Sequence, residues 1–554
     1  MQNPIVEELV VKAKEQRFTD PTSQPTASHR LASTLFTFSN FHILLFALSS
    51  CAALFFLCQV VNYLPPTGDN VYPESSGIAV SQRWAHHGPL YADYRQIPYF
   101  MTPFPPLWYG ILAAASRIGH FNLDALLLFG RVLSVTCLFA AMLLGYRWNR
   151  RLGLSPKLAL LTPAFFVSLP ILIPWAVTAR PDLLALLFAF VAIYCIGLGA
   201  RLASVPLGAL AAALAFLAKH NTVAASVAIV FWLVWVRRWK HAAVFCAVWG
   251  IVAGTVLLSV NTSSHGLLVL NISGAKFGLF ALTYARDILN RLISREGQGF
   301  AVLLFAFGTF GFVESWRKHT DIRIQLVSVY LVVSLALGFV GSAAAGAAVN
   351  HYLESAFAMA LLTPVGVSRL ATVWDRESPF APFVIITVLA LVLPSLDTQR
   401  WNAVHNKAED LRGVLSWIKD KDVFTDDSYI AARLPHVQVL DLPSLTNTER
   451  RGGKEAWSSS TLVAAATAKR YEFAILRSQL NSTYDANALY PRSPRLDNAL
   501  EAALIRNYEL CFAWNTPHGE GPLYVYSPLS NEVGRANTGC RTAEAAYRAA
   551  QAHW

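Results

Sequence analysis

Residues 68–110 read GDNVYPESSGIAVSQRWAHHGPLYADYRQIPYFMTPFPPLWYG, a polar stretch set directly after the long apolar run Phe41–Tyr63. It concentrates Asp69, Glu74, His86, His87, Asp93, Arg95 and the pair Pro105-Pro106. Ionisable groups are costly at membrane depth, so a cluster of them beside an apolar run belongs at a bilayer edge and is kept for positioning or chemistry. A loop this long also needs a function to justify ordering it.

The chain around this stretch is mostly membrane. It has 554 residues, of which 54% are apolar and only 14% charged, and its mean hydropathy is +0.40. Soluble domains carry about 25% charged residues. The net charge of +11 does not indicate nucleic acid, because the basic residues sit in short clusters between apolar runs, as cytoplasmic membrane loops do. Of the seven cysteines, only Cys511 and Cys540 lie in the polar C-terminal part, where a disulfide is open to them if that part is extracytoplasmic. No CxxC or HExxH spacing occurs.

Residues 1–40 lack the apolar core and cleavage site of a signal peptide and read as a cytoplasmic tail, either frayed or carrying an amphipathic helix over Ile5–Phe18. A membrane-spanning helix needs about 20 apolar residues. The candidates are Phe41–Tyr63, Ala125–Arg147, Leu158–Val177, Leu183–Leu202, Pro206–Leu217, Val223–Val236, Ala242–Val260, Phe300–Ser315, Leu326–Ala347, Tyr352–Leu370 and Phe380–Leu396. That predicts a polytopic α-helical protein of about eleven spans over residues 41–396. With the tail inside, the basic clusters at Arg147–Arg151, Arg201, Arg237–Lys240, Arg317–Arg323 and Arg369–Arg376 all fall on one side. This requires Phe104–Ile118 to be an interfacial helix, which its two starting prolines favour.

The opposite side receives the first outer loop, residues 64–103, and the polar groups Arg180, Asp182, Lys219, His220, Asn350 and His351, with Glu354 one turn into its helix. Polar groups converging on one face of a helical bundle predict a site there. Residues 397–554 fall on that face too. Their runs Lys421–Thr425, Val437–Asp441, Phe473–Leu476 and Leu523–Tyr526 read as strands, and Arg412–Asp420 and Ala464–Tyr471 as helices. Such alternation predicts an extracytoplasmic α/β domain.

Each candidate has a plain reading beside the chemical one. Glu74 could take a proton from an incoming hydroxyl, while Asp69 is equally a base or a helix cap. Pro181 and Asp182 suit a helix start, but Arg180 at an outer interface suits a phosphate. Lys219 is either a phosphate ligand or a lysine reaching for the interface. Asn350 and Glu354 lie at i,i+4 on one helix face. The sequons at Asn261, Asn271 and Asn481 are chance-level matches.

This pattern resembles the GT-C superfamily of integral-membrane glycosyltransferases, in particular the bacterial Rgt-like and protein-O-mannosyltransferase-like branch. The residues that carry the resemblance are Glu74, then Gly88-Pro-Leu-Tyr91-Ala-Asp93, Pro105-Pro106-Leu107, Arg180-Pro181-Asp182 and Asn350-His351-Tyr352-Leu353-Glu354. It covers about residues 40–400. The family's first acid often forms an adjacent Asp-Glu pair, whereas here Pro73 precedes Glu74 and Asp69 lies five residues back. The resemblance implies an inverting transfer of a sugar from a polyprenyl-phosphate donor to a glycan, lipid or protein acceptor, on the outer face of a bacterial inner membrane. It casts Glu74 as base with Asp69 the alternate, and Arg180, Lys219 and His220 as phosphate ligands. Asp182, Asp93, Asn350, His351, Tyr352 and Glu354 would orient sugar or acceptor, and the Phe104–Ile118 helix would line the lipid groove. No cofactor is required, although a divalent cation between Glu74 and Asp182 stays open. A lipid or solute transporter, or a non-catalytic component of a cell-envelope polysaccharide export system, is the alternative. The internal repeats and midplane helix breaks of many transporters are not evident.

Overall fold

A computed structural model describes residues 38–71, 73–169, 171–199, 203–274, 282–294, 299–316, 321–343, 347–374, 388, 392–393, 410–480, 496–515, 522–529 and 538–551. The tail with its Ile5–Phe18 stretch, nearly all of the Phe380–Leu396 run, residues 397–409 and the sequon at Asn481 lie outside the described residues.

The first apolar run forms α1 (Phe38–Tyr63). The outer loop after it folds into α2 (Glu74–Ala85) and α3 (Pro106–Gly119). Pro105 stands at the cap of α3 and Pro106 at its first position, where a missing N–H is harmless. Trp108, Tyr109 and Leu112 face inward from this helix while Ile118 is exposed. Next comes α4 (Leu123–Arg151), capped by the Asn122 side chain, which accepts from Ala125 N at 2.8 Å.

The next run departs from expectation. Leu158–Val177 is not one span but three short helices, α5 (Pro156–Ala159), α6 (Leu161–Val167) and α7 (Leu172–Ala176). The run carries prolines at positions 170 and 174, and a proline lacks the N–H that a continuous helix needs in its interior. Then follow α8 (Asp182–Gly197), α9 (Ser204–Ala218), α10 (Ala224–Trp235), α11 (Trp239–Ser263), α12 (Leu267–Gly274) and α13 (Leu282–Ser294). The membrane part closes with α14 (Gly299–Ser315), α15 (Ile322–Ser342), a single 3-10 turn Val349–Tyr352 and α16 (Leu353–Trp374). Among the described residues, α1 from Leu44 onward, α4, α11 and α15 are long and apolar enough to cross a membrane; α8, α9 and α10 are apolar but shorter. The alanine-rich α9 packs between α8 and α11, where small side chains let backbones approach.

Loops assigned to one side touch one another. Arg323 Nη1 donates to Arg151 O at 2.8 Å, and Arg238 Nη1 reaches Gly199 O at 3.3 Å. On the other side Thr102 N donates to Asn271 Oδ1 and Asn271 Nδ2 to Ala92 O, both at 2.8 Å. Asn271 is fully buried by these bonds, so its sequon has a structural use.

The C-terminal segment contains α17 (Arg412–Ile418), β1 (Val423–Thr425), α18 (Ser428–Ala431), α19 (Leu442–Gly452), α20 (Ser460–Thr467), β2 (Phe473–Leu476), α21 (Asn498–Asn507), β3 (Tyr508–Trp514), β4 (Leu523–Pro528) and α22 (Thr538–Gln551). The described strands form one sheet in the order β1-β2-β4-β3, with β1 parallel to β2 and the other pairs antiparallel. The α/β class is as expected, with two differences in detail. Val437–Asp441 is not a strand of this sheet. Val439 instead forms a parallel bridge with Tyr99 of the outer loop, with Tyr99 N donating to Gln438 O at 2.7 Å and Leu440 N to Tyr99 O at 3.2 Å. The unanticipated strand is β3, whose register shifts between Leu510 and Phe512. Such a bulge breaks the alternation that reveals a strand in sequence. It falls at Cys511, which forms a disulfide with Cys540 of α22.

The domain docks on the first outer loop. Leu411 N donates to Thr67 O at 2.9 Å and Tyr429 OH to Pro66 O at 2.7 Å. Tyr99 also meets Trp457 edge to face, with centroids 5.6 Å apart.

Candidate active site

Glu74 opens α2 and is buried. Arg131, about two turns into α4, meets it with two nitrogens of a bidentate fork, Nε to Oε1 at 2.9 Å and Nη2 to Oε2 at 2.8 Å. Both side chains are wholly shielded from solvent. Ala179 N adds a bond to Oε1 at 2.5 Å and Asn70 N one to Oε2 at 3.0 Å. Four donors therefore hold this carboxylate, and the free base expected at Glu74 is not what the structure presents. Arg131 also donates to the carbonyls of Tyr63, Pro65 and Gly68, binding the start of the outer loop to α4.

Asp69 differs. It is half-buried rather than sealed. Its Oδ1 accepts from Ser75 N at 3.1 Å and Ser75 Oγ at 2.5 Å, and its Oδ2 from Ser428 Oγ at 2.5 Å. The bond to Ser75 N satisfies one free N–H in the first turn of α2, although the N-cap residue of that helix is Pro73 and not Asp69. Desolvation, followed by repulsion from Glu74 and Asp427, raises its pKa to about 7 despite the serine donors.

The second cluster grows from the turn Thr178–Asp182. Asn70 Nδ2 donates to Val177 O and Ser134 Oγ to Thr178 O, both at 2.7 Å, while Glu74 holds Ala179 N. Gly130 of α4 permits this approach, since a Cβ there would stand 2.6 Å from Ala179 Cβ. The turn delivers Asp182 to the head of α8, where it accepts from Lys219 Nζ at 2.6 Å, Asn350 Nδ2 at 2.7 Å and Arg180 Nε at 3.4 Å. The Arg180 guanidinium lies over Phe104 at 5.6 Å and Trp175 at 5.3 Å, and Phe104 in turn meets the His220 ring at 6.4 Å. Asp182, Lys219, Asn350, His351 and Glu354 line a small, partly open cavity of about 50 Å³. Glu354 accepts from Tyr330 OH at 2.9 Å.

Thus Arg180, Asp182, Lys219 and Asn350 are joined by direct bonds, and His220, His351 and Glu354 lie beside them. Asp69 and Glu74 form an adjoining cluster whose link to the first is the Thr178–Ala179 peptide, one residue before Arg180. Asp93 belongs to neither. It is a surface residue paired with Arg95, Oδ1 to Nε and Oδ2 to Nη2 both at 2.8 Å, because a partner two residues away satisfies it locally. Tyr352 also turns away from the cavity-lining set, its OH 3.1 Å from Ser342 Oγ.

No protein-family model matches the sequence, and no curated protein is similar to it. Solved structures are similar in fold. The structure of ArnT from Cupriavidus metallidurans bound to undecaprenyl phosphate aligns with a TM-score of 0.54 at 10% identity, covering 89% of this chain and 99% of that one. The apo state of the same protein aligns at 0.52 and 11%, covering 87% and 99%. The chain has the GT-C fold.

Within this GT-C fold the acids do not form a bare metal site. Glu74 is matched by a guanidinium and two N–H groups, and Asp182 by an ammonium, a guanidinium and an amide. That donor set does not fit a divalent cation between them. Among the described residues no three His, Cys, Asp or Glu side chains converge as metal ligands. Sequence reasoning missed Arg131, Tyr330 and Ser428. An arginine inside an apolar span was the available signal for the first, since such a residue needs a buried partner. Ser428 carries no local signal, being 359 residues from Asp69.

Proposed function

We propose that this protein is a membrane glycosyltransferase that moves a sugar from a polyprenyl-phosphate donor to an acceptor hydroxyl on the extracytoplasmic face. The observation that carries the reading is the convergence of Arg180 from one loop with Lys219 and His220 from another around Asp182 and Phe104, next to the cavity that Asp182 and Lys219 line. It occurs in the fold of a protein solved with undecaprenyl phosphate. In this reading Asp69 accepts the acceptor's proton as its oxygen attacks the anomeric carbon. The carbon–oxygen bond to phosphate breaks with inversion, and the lipid phosphate departs carrying the electron pair. Cationic groups stabilise that leaving anion, so no strong acid is needed. Asp69 suits the base because a carboxyl that titrates near neutrality matches the working pH. Glu74 serves as the brace that fixes the Thr178–Ala179 peptide ahead of Arg180, and Asp182 orients Lys219 and Asn350. The disulfide between Cys511 and Cys540 supports an oxidising, extracytoplasmic location for the domain.

Lipid capture tests the cationic site. Purified protein is expected to retain undecaprenyl phosphate in native mass spectrometry, and Arg180→Ala with Lys219→Met to lose it at least tenfold. Equal retention by the double variant would remove the phosphate assignment.

A further inference from the structure

Asp69 is held from two sides. Ser75 belongs to its own loop, but Ser428 arrives from the C-terminal domain, with Oγ 2.5 Å from Asp69 Oδ2. Several bonds fix its delivery. Ser428 follows β1 at the carboxyl end of the parallel pair β1–β2, the edge where open α/β sheets place their functional loops. Asp427 accepts from Ile430 N at 2.9 Å and pairs with Arg477 Nε at 2.6 Å. Arg477 N donates to Asp426 Oδ1 at 2.8 Å. On the far side of Ser428, Tyr429 OH anchors to Pro66 O. The hydroxyl is thus presented by a braced strand end rather than a loose loop.

We propose that Ser428 is a positioning residue through which the C-terminal domain orients Asp69 and sustains its charged form, so that base function in the membrane part depends on the docked domain. This rests on Asp69 being the base. The charged and titratable groups facing Asp69 are Glu74 from its own loop, Arg131 from α4 through Glu74 and Gly68 O, and Asp427 and Tyr429 from the domain. Glu74 and Asp427 oppose ionisation, while the Ser75 and Ser428 hydroxyls favour it. Removing Ser428 Oγ therefore raises the pH at which Asp69 ionises.

The test compares Ser428→Thr with Ser428→Val, which have the same bulk and differ by the hydroxyl, so any packing defect is common to both. Sugar transfer from a polyprenyl-phosphate sugar is followed as kcat/KM against pH. The Thr variant is expected to keep the wild-type acid limb. In the Val variant that limb moves up by about one pH unit, with roughly tenfold loss below it and recovery above. Identical limbs in the two variants, or a loss in Val that is uniform with pH, would overturn the proposal. Asp69→Asn separates this from the underlying reading. If it is inactive while Thr and Val agree, only the role of Ser428 fails; if it is active, the base assignment fails and takes the role of Ser428 with it.

Discussion

Arg131 and Glu74 show how a single pair can organise a site without performing its chemistry. Four donors converge on one carboxylate, and the two ends of the ion pair belong to a membrane helix and to the loop above it. Removing one partner of a buried pair leaves an uncompensated charge, a loss of roughly 3–5 kcal/mol. Arg131→Met is therefore expected to lower the thermal unfolding temperature in detergent sharply, and adding Glu74→Gln to recover much of it. Additive losses in that cycle would show the pair is not coupled. At this scale the sequence was informative wherever charge was out of place. Arg180, Asp182, Lys219 and Asn350 stand out as polar groups among apolar runs, and they do meet. Glu74 stood out equally, but its partner sits inside a span read only for length and hydropathy. Residue types do not reveal which carboxylate is already satisfied.

Helices carry the site because small residues let them close. Gly366 of α16 faces α14 so tightly that a Cβ would stand 2.0 Å from Phe307 O, and Gly311 of α14 makes the reciprocal approach at 2.3 Å to Leu362 O. Backbone cannot yield as a flexible side chain can. Gly366→Val is expected to destabilise by at least about 1–3 kcal/mol, read as a lower unfolding temperature with early aggregation in size-exclusion chromatography. An unchanged profile would mean the two helices are not packed as described. Hydropathy located the long helices well, since a span must be apolar along its length. It failed at Leu158–Val177, where prolines overrule composition, and at Val437–Asp441, where a strand-like run bonds to Tyr99 rather than to the sheet. Both errors arise because hydropathy and β-propensity do not report where backbone hydrogen bonds end up.

Across the whole molecule, the outer loop is clasped between the helical bundle and the C-terminal domain, and Asp69 lies at the junction of the three. The order of apolar runs and basic clusters already implied this two-part plan. The docking of one part on the other was not legible, because contacts such as Ser428 to Asp69 are made by ordinary residues far apart in the chain. On the topology proposed above, Cys511 and Cys540 face an oxidising space. In intact cells a membrane-impermeant maleimide is expected to label them only after reduction, and labelling without reductant would contradict the pairing. Glycosyl transfer is the joint work proposed for these two clusters. Its most direct test is to reconstitute the protein in liposomes and measure transfer from labelled polyprenyl-phosphate sugars, comparing the wild type with Asp69→Asn across pH. Wild-type transfer is expected to rise through an acid limb near pH 7, and the variant to lose at least a hundredfold, as removal of a general base brings. Transfer by Asp69→Asn at the wild-type rate, or none by the wild type with any polyprenyl-phosphate sugar, would contradict the proposal.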